Sequence, residues 1–134
     1  MPRLCLAFDT SSSITAVALL EEQMLLAEEP HASQDKHAQT LLPRIQACLS
    51  QAGRELKDVD VFAVGIGPGS FTGVRVGLAT AKGFVLATKK PIRGVVSLSA
   101  LCRAASAHLG ASARGALVAP ALDAWKGEVF AALY

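Results

Sequence analysis

Aromatic residues are scarce in this sequence, 5% of the chain, and they are not interleaved with the basic ones. That argues against a module that binds RNA by stacking bases on rings. Cysteine is sparse as well: Cys5, Cys48 and Cys102 are odd in number, far apart and without a CxxC pair. They suit buried, reduced thiols rather than a disulfide frame or a zinc site. Of the three histidines, His31 and His37 stand six apart and no HExxH occurs, so neither a metal site nor a cofactor is expected. No apolar run approaches the ~20 residues of a membrane span. The five apolar residues from Leu4 to Phe8 are too few for a secretory signal. The expectation is a cytoplasmic protein without membrane contact.

What the chain does have is apolar mass. At 51% hydrophobic and 18% charged over 134 residues, it has the makings of one domain with a real core, and disorder is excluded. The net charge of +2 is divided unevenly. Residues 1–60 hold five Lys/Arg against nine Asp/Glu, whereas residues 61–134 hold eight against two. The basic second part suits RNA or an acidic partner, although charge alone decides neither.

Periodicity gives the elements. Leu4 to Phe8 reads as a strand followed by the polar turn Asp9-Thr-Ser-Ser-Ser13. Ile14–Leu20 and Met24–Ala27 read as a hairpin about Glu21-Glu22-Gln23, so the chain opens with three antiparallel strands. A first helix is predicted from about Asp35 to Ala52, capped by Ser33 or Asp35 and ended by Gly53. Its inward face is Ala38, Leu41, Leu42, Ile45, Leu49 and Ala52, and Pro43 interrupts it at a cost of ~3 kcal/mol. Val59–Ile66 is a strand apolar enough for burial on both faces. After Gly65-Ile-Gly-Pro-Gly-Ser70 a second helix runs to about Thr88, and Ile92–Val96 is a further strand. Ser97 is expected to cap a third helix with Leu98, Leu101, Ala105 and Leu109 inward and Gly110 closing it. Leu117–Ala121 and Glu128–Tyr134 form a last hairpin about Asp123–Gly127. The order β-β-β-α-β-α-β-α is that of a mixed sheet with helices on its faces. It assigns residues 1–112 to one unit and 113–134 to the opening hairpin of another.

Several segments invite chemistry and fail its requirements. Gly65–Gly69 leads a strand into a helix, but the third glycine of a dinucleotide fingerprint is Ser70 and no Gly-Lys-Ser/Thr follows. Ser70 is in no GxSxG elbow, and a triad of Ser70, His37 and Asp9 is easily assembled by chance in so serine-rich a chain. The second helix is more telling. On a helical wheel Phe71, Val74, Leu78 and Val85 share one face, while Gly73, Val76, Gly77, Thr80 and Gly83 share roughly the opposite one. Small residues four apart admit a close neighbour. A second helix of the same domain could fill the groove over the glycine stripe, but with the sheet assigned to the first face the stripe is expected to meet another molecule. On that reading Gly77→Leu leaves the isolated domain stable and weakens only partner binding.

The run from Gly67 to Gly83, GPGSFTGVRVGLATAKG, closely resembles the signature of the TsaB (YeaZ) family, required for threonylcarbamoyladenosine in tRNA. Similar pieces occur in order elsewhere: AFDTS from Ala7, HAQTLLP from His37, GVVSL from Gly94 and LDAWKGEVF from Leu122. The resemblance implies an actin-like, ribonuclease-H-like α/β fold of two halves, of which this chain holds the first. It also implies a noncatalytic scaffold that pairs with TsaD, the threonylcarbamoyl transferase, through the first two helices. TsaE would join a larger complex, the chain would pair with itself when alone, and tRNA would be met only through the complex. The interface so implied comprises His37, Gln39, Thr40, Pro43, Gly73, Val76, Gly77, Thr80 and Gly83. Actin-like phosphate loops carry Asp-x-Gly. Here Asp9 is followed by Thr10 and Ser11, and Asp123 by Ala124 and Trp125, so both are degenerate phosphate-loop positions and no catalytic residue is expected. The alternative is an enzyme, a glycoprotease-like peptidase or a weak nucleotide hydrolase using Asp9.

Overall fold

The computed structural model describes residues 3–29, 31–32 and 37–134, with the side chains of residues 31, 32 and 37–39 outside that description. Three strands open the chain, β1 (Leu4–Asp9), β2 (Ile14–Glu21) and β3 (Met24–Glu28). They pair antiparallel in sequence order, the three-strand opening that the short turns of the sequence predict. Glu22 turns the β2–β3 hairpin at φ 56°, and the two-residue strand β4 (His31–Ala32) pairs with the start of β2.

Helix α1 (His37–Gln51) then crosses one face of the sheet. Its predicted caps, Ser33 and Asp35, lie outside the described residues, as does the side chain of Ala38. Gly53 ends it at φ 62°, with Arg54 N donating to Leu49 O at 2.9 Å, the αL closure that glycine favours. Strand β5 (Val61–Gly65) pairs parallel with β1, α2 (Phe71–Thr88) follows, and β6 (Ile92–Val95) pairs parallel with β5. The sheet order is β3-β2-β1-β5-β6, with β4 appended to β2. Helix α3 (Ser97–Leu109) precedes the hairpin β7 (Ala121–Trp125) and β8 (Glu128–Ala131), which forms a separate two-stranded sheet.

The core lies between the sheet and the pair α1 and α2. Leu4, Leu6, Phe8, Val17, Leu19, Phe62 and Val64 project from the strands onto Leu41, Ile45, Cys48 and Leu49 of α1 and Ala81 of α2. Phe84 of α2 stacks on Phe62 at 5.3 Å between ring centroids and meets Phe8 edge-on at 6.2 Å. Three expectations need correction. Leu42 is 54% exposed, because the α1 stripe that meets the sheet runs through Leu41, Ile45 and Cys48. Leu101 and Leu109 are exposed, since α3 is buried only at Ser97 and Leu98. Strand β5 is buried on its helix-facing side, and on the other only at Gly65, beneath Asp9. Its other side, with Ala7, Ala16, Ala18 and Gly65, floors an open groove of about 210 Å³.

Candidate functional site

The turn after β1 is closed on itself. Asp9 Oδ1 accepts the backbone N–H of Ser11 at 2.7 Å, so the turn folds back onto its own carboxylate. Asp9 Oδ2 accepts the hydroxyl of Ser97, also at 2.7 Å. The Ser97 oxygen in turn accepts from Ser11 Oγ at 3.0 Å and from the Gly67 N–H at 3.2 Å. Beside this group, Thr10 Oγ1 donates to Gly73 O at 2.5 Å. Thr10, Ser11 and Ser97 are all buried. A phosphate-binding loop presents N–H groups outward to an anion. Here the Ser11 N–H is directed to Asp9 and that of Ile14 to Ser12 Oγ at 3.2 Å.

Ser97 was expected to cap α3, and it does not. It is the first helical residue, Val96 holds the cap position without a side-chain bond, and the Ser97 hydroxyl turns inward to Asp9. Asp123 repeats the geometry of Asp9 at the surface, its Oδ1 accepting from Trp125 N two residues on at 2.8 Å. Both aspartates thus close their own turns. Among the described residues no three His, Cys, Asp or Glu side chains gather as a metal site requires, and no helix is long and apolar enough to cross a membrane.

The glycine stripe of α2 faces the opposite way from the expectation. Gly73 and Gly77 are buried beneath the helix. A Cβ on Gly73 would fall well inside contact distance of the Thr10 carbonyl oxygen, and one on Gly77 would lie 2.8 Å from Thr10 Oγ1. The physical reason is the close approach of α2 to the end of β1, which the Thr10–Gly73 hydrogen bond requires. Val76 packs partly against the core and Thr80 is half-buried, its hydroxyl donating to Val76 O at 2.9 Å. Only Gly83 of the stripe is exposed, with nothing within 4 Å of an added Cβ. Ser70 caps the helix by accepting from Gly73 N at 3.1 Å.

On α1, Pro43 is exposed and Thr40 half-buried, while the side chains of His37 and Gln39 lie outside the described residues. The outward apolar residues of the two helices are ones that the sequence reading placed inward or passed over. Phe71 is 74% exposed, with the Arg75 guanidinium carbon 4.8 Å from its ring centroid, and Leu86 is 71% exposed. Arg75, Ala79 and Lys82 complete that outer face. The signal that would have found it is the position of Arg75 and Lys82, since the face opposite two cations is the buried one.

Burial raises the thiols of Cys5 and Cys48 above their ordinary range, Cys48 also through the nearby charge of Glu29. Asp60 is held below the usual carboxylate value, first by the Leu4 N–H donated to it at 2.9 Å and then by Lys90 at 3.6 Å.

Residues 23–134 match the family described as TsaD: tRNA N6-adenosine threonylcarbamoyltransferase. The tRNA threonylcarbamoyladenosine biosynthesis protein TsaB of Escherichia coli is 37% identical over 129 residues, covering 96% of this chain and 54% of that protein. A tRNA N6-adenosine threonylcarbamoyltransferase of Solidesulfovibrio magneticus is 40% identical over 118 residues, 77% of this chain and 32% of the relative. The solved structure of YeaZ from Pseudomonas aeruginosa superposes with a TM-score of 0.87 at 38% identity, over 98% of this chain and 60% of that one. The mixed sheet and its helices are therefore of the actin-like, ribonuclease-H-like class. The chain spans about half the length of the curated TsaB relatives it matches.

Proposed function

This chain belongs to the TsaB/YeaZ branch of the TsaD family, and on that premise we propose that it is a noncatalytic scaffold in the synthesis of threonylcarbamoyladenosine in tRNA. It binds the transferase TsaD through the outer faces of α1 and α2. The observation that carries this reading is the apolar surface those helices turn to solvent, Leu42, Phe71 and Leu86. Pro43, Thr40, Thr80 and Gly83 remain part of the proposed interface. Gly73 and Gly77 leave it, and Val76 contributes only at its edge. TsaE joins through the complex, a second copy takes the same face when TsaD is absent, and tRNA is reached only through the assembly. Residues 1–112 act as the first actin-like half in the cytoplasm, with 113–134 opening a second.

The noncatalytic reading is favoured by the Asp9 carboxylate, both of whose oxygens already accept short hydrogen bonds from the chain itself. A titration of purified TsaD with the chain and with its Leu86→Glu variant tests the proposal. Loss of a central apolar contact is expected to weaken binding by about 1–3 kcal/mol. A folded variant that binds TsaD as the parent does would move the interface elsewhere. ATP or peptide hydrolysis by the chain alone, abolished by Asp9→Ala, would replace the scaffold reading with the enzymatic one.

A further inference from the structure

Helix α3 is held to the sheet by very little. Of its 13 residues only Ser97 and Leu98 are buried, and no side chain caps its N-terminus. Among the described residues its other side-chain hydrogen bond is the surface contact between Ser99 Oγ and the Tyr134 hydroxyl, 2.6 Å. Against this, the single hydroxyl of Ser97 makes three hydrogen bonds, two to the turn after β1 and one to the loop after β5, and its N–H adds a fourth to Gly67 O at 2.8 Å.

We propose that Asp9 and Ser97 form a latch that fixes the position of α3, so that the degenerate phosphate-loop aspartate serves to position a helix. The carboxylate has a fixed seat. It lies over Gly65 of the neighbouring strand, where even a methyl group would collide with it. The hydroxyl protons admit one order when Asp9 is ionised: Ser11 donates to Ser97, and Ser97 donates to Asp9. Removing the Ser97 oxygen leaves three polar groups short of a partner at once: the buried Ser11 Oγ–H and Gly67 N–H and the partly buried Asp9 Oδ2. Replacing Asp9 by Asn is milder. Its amide then donates to Ser97 and the hydroxyl order reverses, Ser97 donating to Ser11, so that only the Ser11 hydroxyl proton loses its acceptor.

The latch matters beyond the helix because Asp9 and Ala100 both line two grooves. One is the groove of about 210 Å³ on the open face of the sheet; the other, of about 220 Å³, runs past Ser12, Ile14 and Leu122. Where α3 stands sets the width of both.

Amide hydrogen exchange, read by mass spectrometry on the chain and its variants, tests this. Ser97→Ala is expected to speed exchange in the first two turns of α3 by about tenfold or more, with α2 changed by less than about twofold. Asp9→Asn should act on the same segment more weakly. Thr10→Val, which removes the neighbouring hydrogen bond to Gly73, should loosen the start of α2 and leave α3 as it was. The latch is refuted if α3 exchanges equally fast with and without Ser97, or if α2 and α3 accelerate together. Should Ser97→Ala fail to fold, Asp9→Asn and Ser11→Ala decide by the same criterion: acceleration confined to α3 supports the latch, and uniform or absent acceleration overturns it.

Discussion

Two glycines of α2, six residues apart, answer the same substitution in opposite ways. Gly77 sits over Thr10 and Val64, so a larger side chain must push helix and strand apart. Gly77→Leu is expected to destabilise the chain by on the order of 1–3 kcal/mol, seen as a lower thermal midpoint. Gly83 faces open space, and Gly83→Ala should raise stability by about 1 kcal/mol, the usual helix preference for alanine. Thiol reactivity sorts by the same logic of place. Cys48 is fully buried among Leu41, Ile45 and Leu49, and burial raises its thiol above the ordinary range. Cys102 is only half-buried. Alkylation at pH 8 followed by peptide mass mapping should label Cys102 first and Cys48 only under unfolding conditions. Labelling of Cys48 at the rate of Cys102 in the folded chain would contradict the packing described for α1.

Among the elements, strands were easier to read than helix faces. Alternation in Leu4–Asp9 and Ile14–Glu21 states which side chains point inward, because a strand has two sides only. Helix α2 carries small or apolar residues nearly all round, and small residues mark whichever surface comes closest, a sheet as readily as a helix. The wheel therefore found the tight glycines without finding the buried face: Gly73 and Gly77 meet the end of β1, residues of both predicted faces (Val76, Leu78 and Val85) pack against the core, and Phe71 and Gly83 turn outward. The hydroxyl cluster was not legible at all, since its bonds join residues 86 and 88 positions apart and no local pattern announces them. Asp60 shows another such tie, linking the N-terminal end of β1 to the connection between α2 and β6 through Leu4 N and Lys90. Its carboxyl is held below the ordinary 3.8, so the stability it lends is complete above that value and is lost as pH falls through the depressed one. Melting curves between about pH 5 and pH 2.5 should show Asp60→Asn losing less stability on acidification than the parent. Parallel losses in the two proteins would mean that the Leu4 and Lys90 contacts do not favour the ionised form.

At the scale of the whole molecule, the pairing of β1 with β5 has a consequence in time. Nearest neighbours in sequence build β1, β2 and β3, yet β1 lies inside the finished sheet with β5 on its other side. Closing that seam, as the bond from Leu4 N to Asp60 shows, spans 56 residues. A growing chain can form the β1–β2–β3 meander early, since its turns are short and local contacts close quickly. Until β5 leaves the ribosome, however, the inner margin of β1 is an open edge carrying Leu4, Leu6 and Phe8, and an open apolar edge recruits other strands. At the ~5–20 residues per second of synthesis, that exposure lasts for seconds. The strand that ends as one of the best-protected in the sheet is thus the most vulnerable during its making, and a nascent chain stalled before Val61 is where aggregation or chaperone capture should concentrate.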